Sequence, residues 1–248
     1  MELIFFIQKK MKYGIILMIL RSSTIITIKL FHLIKIQFSR CQLILKQLIP
    51  TSKTDPKVVG FLEDYGKRYL GKTTVVCKDT PAFIANRIGV YSIMSLFHMV
   101  NELDLTVEEI DKLTGPILGR PKSATFRTCD VVGLDTLVHV AKGLNLHCKD
   151  DEAHALFGVP EYISKMVENN WLGSKTKQGF YKKVKGEDGK SKILTLDLKS
   201  LAYREKERVN FATLDLAKSE DNLKNRTKIL LSGKDKAGKF YRKSFYGL

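Results

Sequence analysis

The spacing of apolar positions changes along the chain, and each change marks an element. Leu43-Ile44-Leu45-Lys46-Gln47-Leu48-Ile49 is a near-continuous apolar run closed by Pro50, the pattern of a buried strand. Asp55 then suits a helix N-cap and Pro56 the first helical position, where proline's missing N–H costs nothing. Val58, Leu62, Tyr65 and Tyr69 follow at helical spacing, and Gly71 supplies a left-handed stop. Thr73-Thr74-Val75-Val76-Cys77 is β-branched, so residues 43–77 read as strand–helix–strand, a unit that belongs to a parallel α/β sheet. Beyond Cys77 the period is helical. Thr80-Pro81 opens a helix with apolar positions at Ile84, Ile88 and Tyr91 that continues to about Val100. Thr106-Val107-Glu108-Glu109 is a capping box, and Gly115-Pro116 stops the helix it starts. Leu134, Leu137, Val138 and Ala141 form one stripe, and Ile163, Met166, Val167 and Asn170 form another behind Pro160. The expected fold class is mainly α: an antiparallel helical domain over residues 78–183, preceded by a strand–helix–strand remnant of a Rossmann-type α/β domain over 43–77.

The two flanks read differently. Residues 1–42 have one acidic residue, Glu2, and no sustained period; an isolated helix or loose packing is the expectation there. Residues 184–248 form a basic extension with one helix from about Asn210 to Lys218. The 248 residues carry 42 Lys plus Arg against 26 Asp plus Glu, a net charge of +16, which raises nucleic acid as a partner. The distribution argues against it: +7 over 1–50, +2 over 51–183 and +7 over 184–248, with both signs mixed and little aromatic interleaving in the last part. Lys9-Lys10-Met11-Lys12 followed by eight apolar residues resembles a signal peptide, but no small-x-small site follows Leu20. The run also falls far short of the roughly 20 residues that span a bilayer. No membrane span and a cytoplasmic location are expected.

Cys41, Cys77, Cys129 and Cys148 are widely spaced, with no C-x-x-C and no histidine at zinc-finger spacing, so a reduced chain without a metal site is expected. There is no G-x-G-x-x-G, G-x-S-x-G or H-E-x-x-H. Gly186-Glu187-Asp188-Gly189-Lys190-Ser191 ends like a phosphate loop but has Val184 where that motif needs glycine, so it reads as a hairpin turn. His98, His139 and His154 read as structural, and adjacent His147-Cys148 do not make a nucleophile pair.

Two stretches carry specific chemistry. Lys78-Asp79-Thr80-Pro81-Ala82-Phe83-Ile84-Ala85-Asn86-Arg87-Ile88 puts an amide side chain, Asn86, about one and a half turns into a helix. Gly173-Ser174-Lys175-Thr176-Lys177-Gln178-Gly179-Phe180-Tyr181 is a basic glycine turn at the end of the helical domain. Together with Gly115-Pro116-Ile117-Leu118-Gly119-Arg120-Pro121 and Asp130-Val131-Val132-Gly133-Leu134-Asp135-Thr136, they resemble the C-terminal domain of the 3-hydroxyacyl-CoA dehydrogenases. Within that family, the dehydrogenase part of the multifunctional bacterial fatty-acid β-oxidation protein is the nearest likeness, over roughly residues 43–240.

The resemblance implies a two-domain oxidoreductase that transfers hydride from the 3-hydroxyl of an acyl-CoA to NAD, with a helical domain closing the acyl-CoA cleft and forming a homodimer contact. It gives Asn86 the family's asparagine that hydrogen-bonds the substrate oxygen, and Lys175 the lysine on the NAD side. The glutamate that orients the catalytic histidine falls at Gln47, and the histidine itself at Lys35; no His-Phe-Phe-Asn-Pro occurs, and His32 is out of register. The departure begins just upstream of Leu48. Residues 1–42 and the last ten, from Lys239, are therefore expected to be foreign to the family, with the Ile/Lys/Phe bias that AT-rich DNA yields in a wrong frame. A chain of this kind is expected to be inactive alone. A non-catalytic helical dimerisation or acyl-CoA-binding module is the alternative.

Overall fold

A computed structural model describes residues 46–186 and 189–246 in full, and the backbone of 19–21, 24–26, 34–36 and 45. The Lys9-led apolar run up to Met18, His32, Cys41, Leu43 and Ile44 lie outside the described residues. Contacts divide the chain between Ile88 and Gly89.

In the first unit, β4 (Leu45–Pro50) and β5 (Thr73–Val76) are parallel, with Leu45 opposite Thr73 and Leu48 opposite Val76. Helix α1 (Pro56–Arg68) joins them: the Asp55 carboxylate caps it through the Lys57 N–H at 2.8 Å, Pro56 is its first residue, and Gly71 is left-handed at φ +58°. Gly66 lets α1 approach the sheet, since a Cβ there would lie 2.5 Å from the Thr74 methyl. The strand–helix–strand reading holds. The flank before it does not form an isolated helix where it is described. Strands β1 (Ile19–Arg21) and β2 (Thr24–Ile26) pair antiparallel, and β3 (Ile34–Ile36) runs antiparallel to β4. Thr24-Ile25-Ile26 is β-branched throughout and Ile34-Lys35-Ile36 at two of three positions, which favours the pleated conformation.

The second unit is built on α2 (Ala85–Leu103), α3 (Val107–Leu113), α4 (Phe126–Val132), α5 (Leu134–His147) and α6 (Glu161–Glu168). The capping box forms as expected, with the Glu109 N–H on Thr106 Oγ1 at 3.2 Å and the Thr106 N–H on Glu109 Oε2 at 2.8 Å. Leu134, Leu137, Val138 and Ala141 are buried on α5, and Ile163 and Met166 on α6; Asn170 lies past the end of α6 with φ +59°. Phe97, Phe126 and Phe180 meet at ring separations of 5.7, 4.3 and 5.8 Å in the core, and the Tyr162 hydroxyl donates to the Phe97 carbonyl at 3.0 Å. Such ring pairs add about 0.5–1.5 kcal/mol each beyond the area they bury. His98 and His154 are structural: their Nε2 atoms lie 3.1 Å from the Gly158 carbonyl and 2.8 Å from the Asn145 carbonyl.

Two expectations for this unit are corrected. Helix α2 starts at Ala85, not at Thr80-Pro81, because Ala82 and Phe83 are both left-handed, at φ 59° and 53°. Ile84, Ile88 and Tyr91 are exposed, Ile88 by 61%, and the buried stripe is Val90, Met94 and Phe97 with Ile93 and Val100. The basic extension holds much more than one helix. Strands β6 (Tyr181–Lys185), β7 (Ser191–Leu196) and β8 (Tyr203–Glu205) form an antiparallel sheet. Its first connection is the expected hairpin, where the Gly186 N–H donates to the Lys190 carbonyl at 2.7 Å. Helices α7 (Ala212–Lys218), α8 (Leu223–Ser232) and α9 (Lys236–Tyr246) follow. Helix α9, which takes in most of the stretch expected to be foreign, buries Phe240 and Tyr241, and the Tyr241 hydroxyl donates to the Leu113 carbonyl at 2.8 Å.

Candidate functional site

Gln47, Asn86 and Lys175 each have a definite place in the structure. Gln47 lies in the middle of β4, 5% exposed, and its Oε1 accepts the N–H groups of Ile84 and Ala85 at 3.1 and 3.0 Å and the Cys77 thiol at 3.6 Å. Those two N–H groups open α2. Burial pushes the Cys77 thiol above its ordinary range. Asn86 is the second residue of α2, in its first turn rather than one and a half turns in, and is half-buried. Gln47 and the Asn86 helix are thus brought together. Lys35, where the resemblance puts the base, is on β3 opposite Ile49, so its backbone neighbours the strand of Gln47.

Beyond the carboxyl ends of β4 and β5 an open crevice of about 560 Å³ is lined by Thr51, Ser52, Cys77, Lys78 and Asp79 among others. This is the end of a parallel sheet where ligands collect. Asn86 is not part of its lining.

Lys175 is on a short 3-10 turn, Ser174–Thr176, and its Nζ is paired with Asp135 Oδ1 in the first turn of α5. Asp135 is held below the ordinary carboxylate range; burial opposes this, and the Lys175 contact outweighs it. The turn closes on itself, with the Gly173 N–H on the Gln178 carbonyl at 2.7 Å, and its neck is packed against Asp130. Asp130 Oδ1 accepts the Phe180 N–H at 2.9 Å. Asp111 accepts the N–H groups of Thr125 and Phe126, at 3.1 and 2.7 Å. Burial pushes Asp111 up to about 6 and Asp130 up to about 7, against the backbone donors that favour their ionised forms. Asp111 did not stand out in the sequence, and Asp130 did so only as the first residue of a stretch that resembles the family, with no role attached. The only signal of a role was an acid set in the apolar run Cys129-Asp130-Val131-Val132.

The start of α1 does not fit a pyrophosphate. The helix after the first strand of the parallel pair is where a pyrophosphate would rest, on free N–H groups behind a glycine turn. Here Pro56 offers no N–H, and the Asp55 carboxylate already occupies the helix start and would repel a phosphate. Among the described residues, no group of three His, Cys, Asp or Glu could hold a metal ion, and no helix is long and apolar enough to cross a membrane.

The family model for the 3-hydroxyacyl-CoA dehydrogenase C-terminal domain matches residues 83–183, a span that includes both Asn86 and Lys175. The chain is 43% identical over 79% of its length to a probable 3-hydroxyacyl-CoA dehydrogenase of Bacillus subtilis, of which it covers 24%. It is 45% identical over 61% of its length to a protein of the same description from Deinococcus radiodurans, of which it covers 43%. The crystal structure of Mycobacterium tuberculosis FadB2 superposes with a TM-score of 0.53 at 31% identity, over 61% of this chain and 52% of that one. The chain therefore spans a quarter to under half of the curated relatives it matches.

Proposed function

We propose that the chain, whose residues 83–183 match the 3-hydroxyacyl-CoA dehydrogenase C-terminal domain, is the acyl-CoA-binding half of such an enzyme, competent for hydride transfer only with a cofactor-binding half beside it. The observation that carries this is Asn86 in the first turn of α2, a helix whose opening N–H groups are accepted by Gln47, where the resemblance puts the family's glutamate. An asparagine there donates from Nδ2 to the substrate's 3-oxygen, and that donation strengthens as the oxygen loses its proton and takes on negative charge.

What is lacking is equally specific. The sequence contains no His-Phe-Phe-Asn-Pro, so no imidazole is available at the position of Lys35 to take the hydroxyl proton. A glutamine at 47 cannot offset the charge of an imidazolium as a carboxylate does. With Asp55 and Pro56 at the start of α1, that helix offers the NAD pyrophosphate no seat. Lys175 reaches a cofactor phosphate only by leaving Asp135, and one half-exposed cation contributes about 1 kcal/mol or less.

Calorimetry separates these roles. Acetoacetyl-CoA, a 3-oxoacyl thioester, is expected to bind the chain with a dissociation constant in the micromolar range, while NAD gives no heat at millimolar concentration. Absence of thioester binding would remove the proposal; micromolar NAD binding would overturn the division of labour.

A further inference from the structure

We propose that Gln47 is a positioning residue for Asn86, acting through the start of α2 and not on a catalytic base. The inference rests on the role given to Asn86 above. The first N–H groups of any helix lack partners within it, and a Ser, Thr, Asp or Asn just before the helix usually accepts one of them. Helix α2 has no such residue. Its first residue, Ala85, follows Ile84, which has no side-chain acceptor, and the two residues before that, Ala82 and Phe83, are left-handed although neither is glycine. Backbone in that region persists only when its surroundings over-determine it.

The acceptor comes from 37 residues upstream. Gln47 Oε1 takes the Ile84 N–H at 3.1 Å and the Ala85 N–H at 3.0 Å, and the Cys77 thiol donates to the same oxygen. Three donors on one buried carbonyl oxygen fix its direction, and the side chain stands on the middle of a strand paired on both sides, to β3 and β5. Asn86 is the next residue after Ala85. A start of α2 that frays by one turn displaces Asn86 first, while the buried stripe from Val90 onward stays seated.

This separates two requirements at position 47. Orienting an imidazolium needs a carboxylate. Capping α2 needs only an acceptor oxygen, which glutamine supplies, and a glutamate would supply it with added charge at the positive end of the helix. The glutamine in this chain has therefore given up the first role and kept the second.

The test uses the whole chain, 15N-labelled, with Gln47→Met, which keeps length and loses the acceptor, and Gln47→Glu, which keeps it. Backbone amide exchange is read at Ile84 and Ala85 together with the Asn86 side-chain NH2 resonances. Gln47→Met is expected to speed exchange at Ile84 and Ala85 at least 10-fold and to move the Asn86 signals, with protection over 107–183 unchanged; Gln47→Glu is expected to match the wild type. Unchanged exchange in Gln47→Met, a loss spread evenly over the chain, or failure of Gln47→Glu to match would overturn the proposal. Titration with acetoacetyl-CoA on the same Asn86 signals checks the functional reading separately. No response in the wild type, with the exchange pattern as expected, would sink the dehydrogenase reading and leave the cap standing.

Discussion

The buried carboxylate of Asp130 accepts the Tyr181 N–H on Oδ2 at 2.9 Å, fifty-one residues further along the chain. Its other oxygen takes the Phe180 N–H at the same distance, and the Tyr181 hydroxyl donates to Asp111 Oδ2 at 2.7 Å. Tyr181 is thus held at its backbone and at its phenol by two buried acids, while Arg127 and Lys206 stand over its ring at 5.9 and 5.5 Å. The strand that Tyr181 begins and the glycine turn that carries Lys175 are both fixed at this point. The geometry explains why Gly179 precedes Phe180: a Cβ there would lie 2.1 Å from Asp130 Oδ1 and 2.6 Å from the Gly173 Cα.

Gly179→Ala is therefore expected to break the junction. The methyl has no room unless Asp130 or the Gly173 backbone moves, and overpacking of this kind costs roughly 1–3 kcal/mol or more. Urea denaturation should show the lower midpoint, and the Phe180 and Tyr181 amides should lose hydrogen-exchange protection. A wild-type midpoint would mean that the turn is not anchored on Asp130.

The same two acids set a pH dependence. A carboxyl whose pKa is raised on folding binds its proton more tightly in the folded chain. Its contribution is complete below the unfolded value near about 4 and is lost as pH rises through the folded value. For Asp111 and Asp130 that loss runs through about 6 and about 7. Glu108 goes the other way: burial raises its pKa, but the Arg204 and Glu207 contacts prevail and leave it lowered, so its contribution is lost as pH falls below the ordinary glutamate range. The urea midpoint is expected to peak in mildly acid solution and to fall between pH 5.5 and 8. Asp130→Asn, which stays neutral throughout, should flatten that fall. A midpoint that rises from pH 5.5 to 8 would contradict the reading.

Local chemistry was legible in the sequence and tertiary chemistry was not. Asp55-Pro56, the Thr106–Glu109 box and the Leu134 stripe are each written within one or two turns of chain, and each stands in the structure as read. The start of α2 was misplaced because Thr80-Pro81 looks like a local cap, whereas the acceptor that decides the start is Gln47, on a strand. Ile84, Ile88 and Tyr91 share a helical face, but the face that is buried begins at Val90. The charged tail hid α8 and α9 because Lys and Arg surround their few large buried residues, Leu230, Phe240 and Tyr241. Of the candidate site, the identities of Asn86 and Lys175 were visible. The Asp135 pairing of Lys175 depends on a contact 40 residues apart that no spacing reveals.

Arg204 is expected to be needed for folding. Its Nη1 and Nη2 donate to the two oxygens of Glu108 at 2.9 and 3.0 Å, and Glu108 is buried on α3. Removing one partner leaves a buried charge without its counter-ion, which costs about 3–5 kcal/mol, whereas replacing both by apolar residues is far milder. Arg204→Leu should lower the urea midpoint steeply, and Glu108→Leu with Arg204→Leu should recover most of the loss. A double variant no better than the single would show that the pair is not the cause.

The decisive prediction concerns Asn86 in a chain joined to a cofactor-binding half. Supplying a cofactor-binding half with a glycine turn and a catalytic histidine, together with Gln47→Glu, should give NADH oxidation dependent on acetoacetyl-CoA. In that protein the Asn86 amide is expected to donate to the oxygen that changes from carbonyl to hydroxyl and gains negative charge as hydride arrives, so its contact is worth most at the transition state. Asn86→Ala should then lower kcat by roughly 10²-fold or more, the scale of losing one polarising donor. The amide lies in the first turn of α2 and not in the buried stripe, so the urea midpoint should change little. A structural asparagine gives the reverse result, with kcat kept and the midpoint lowered. The pair of measurements therefore assigns Asn86 to substrate or to scaffold whichever way it falls.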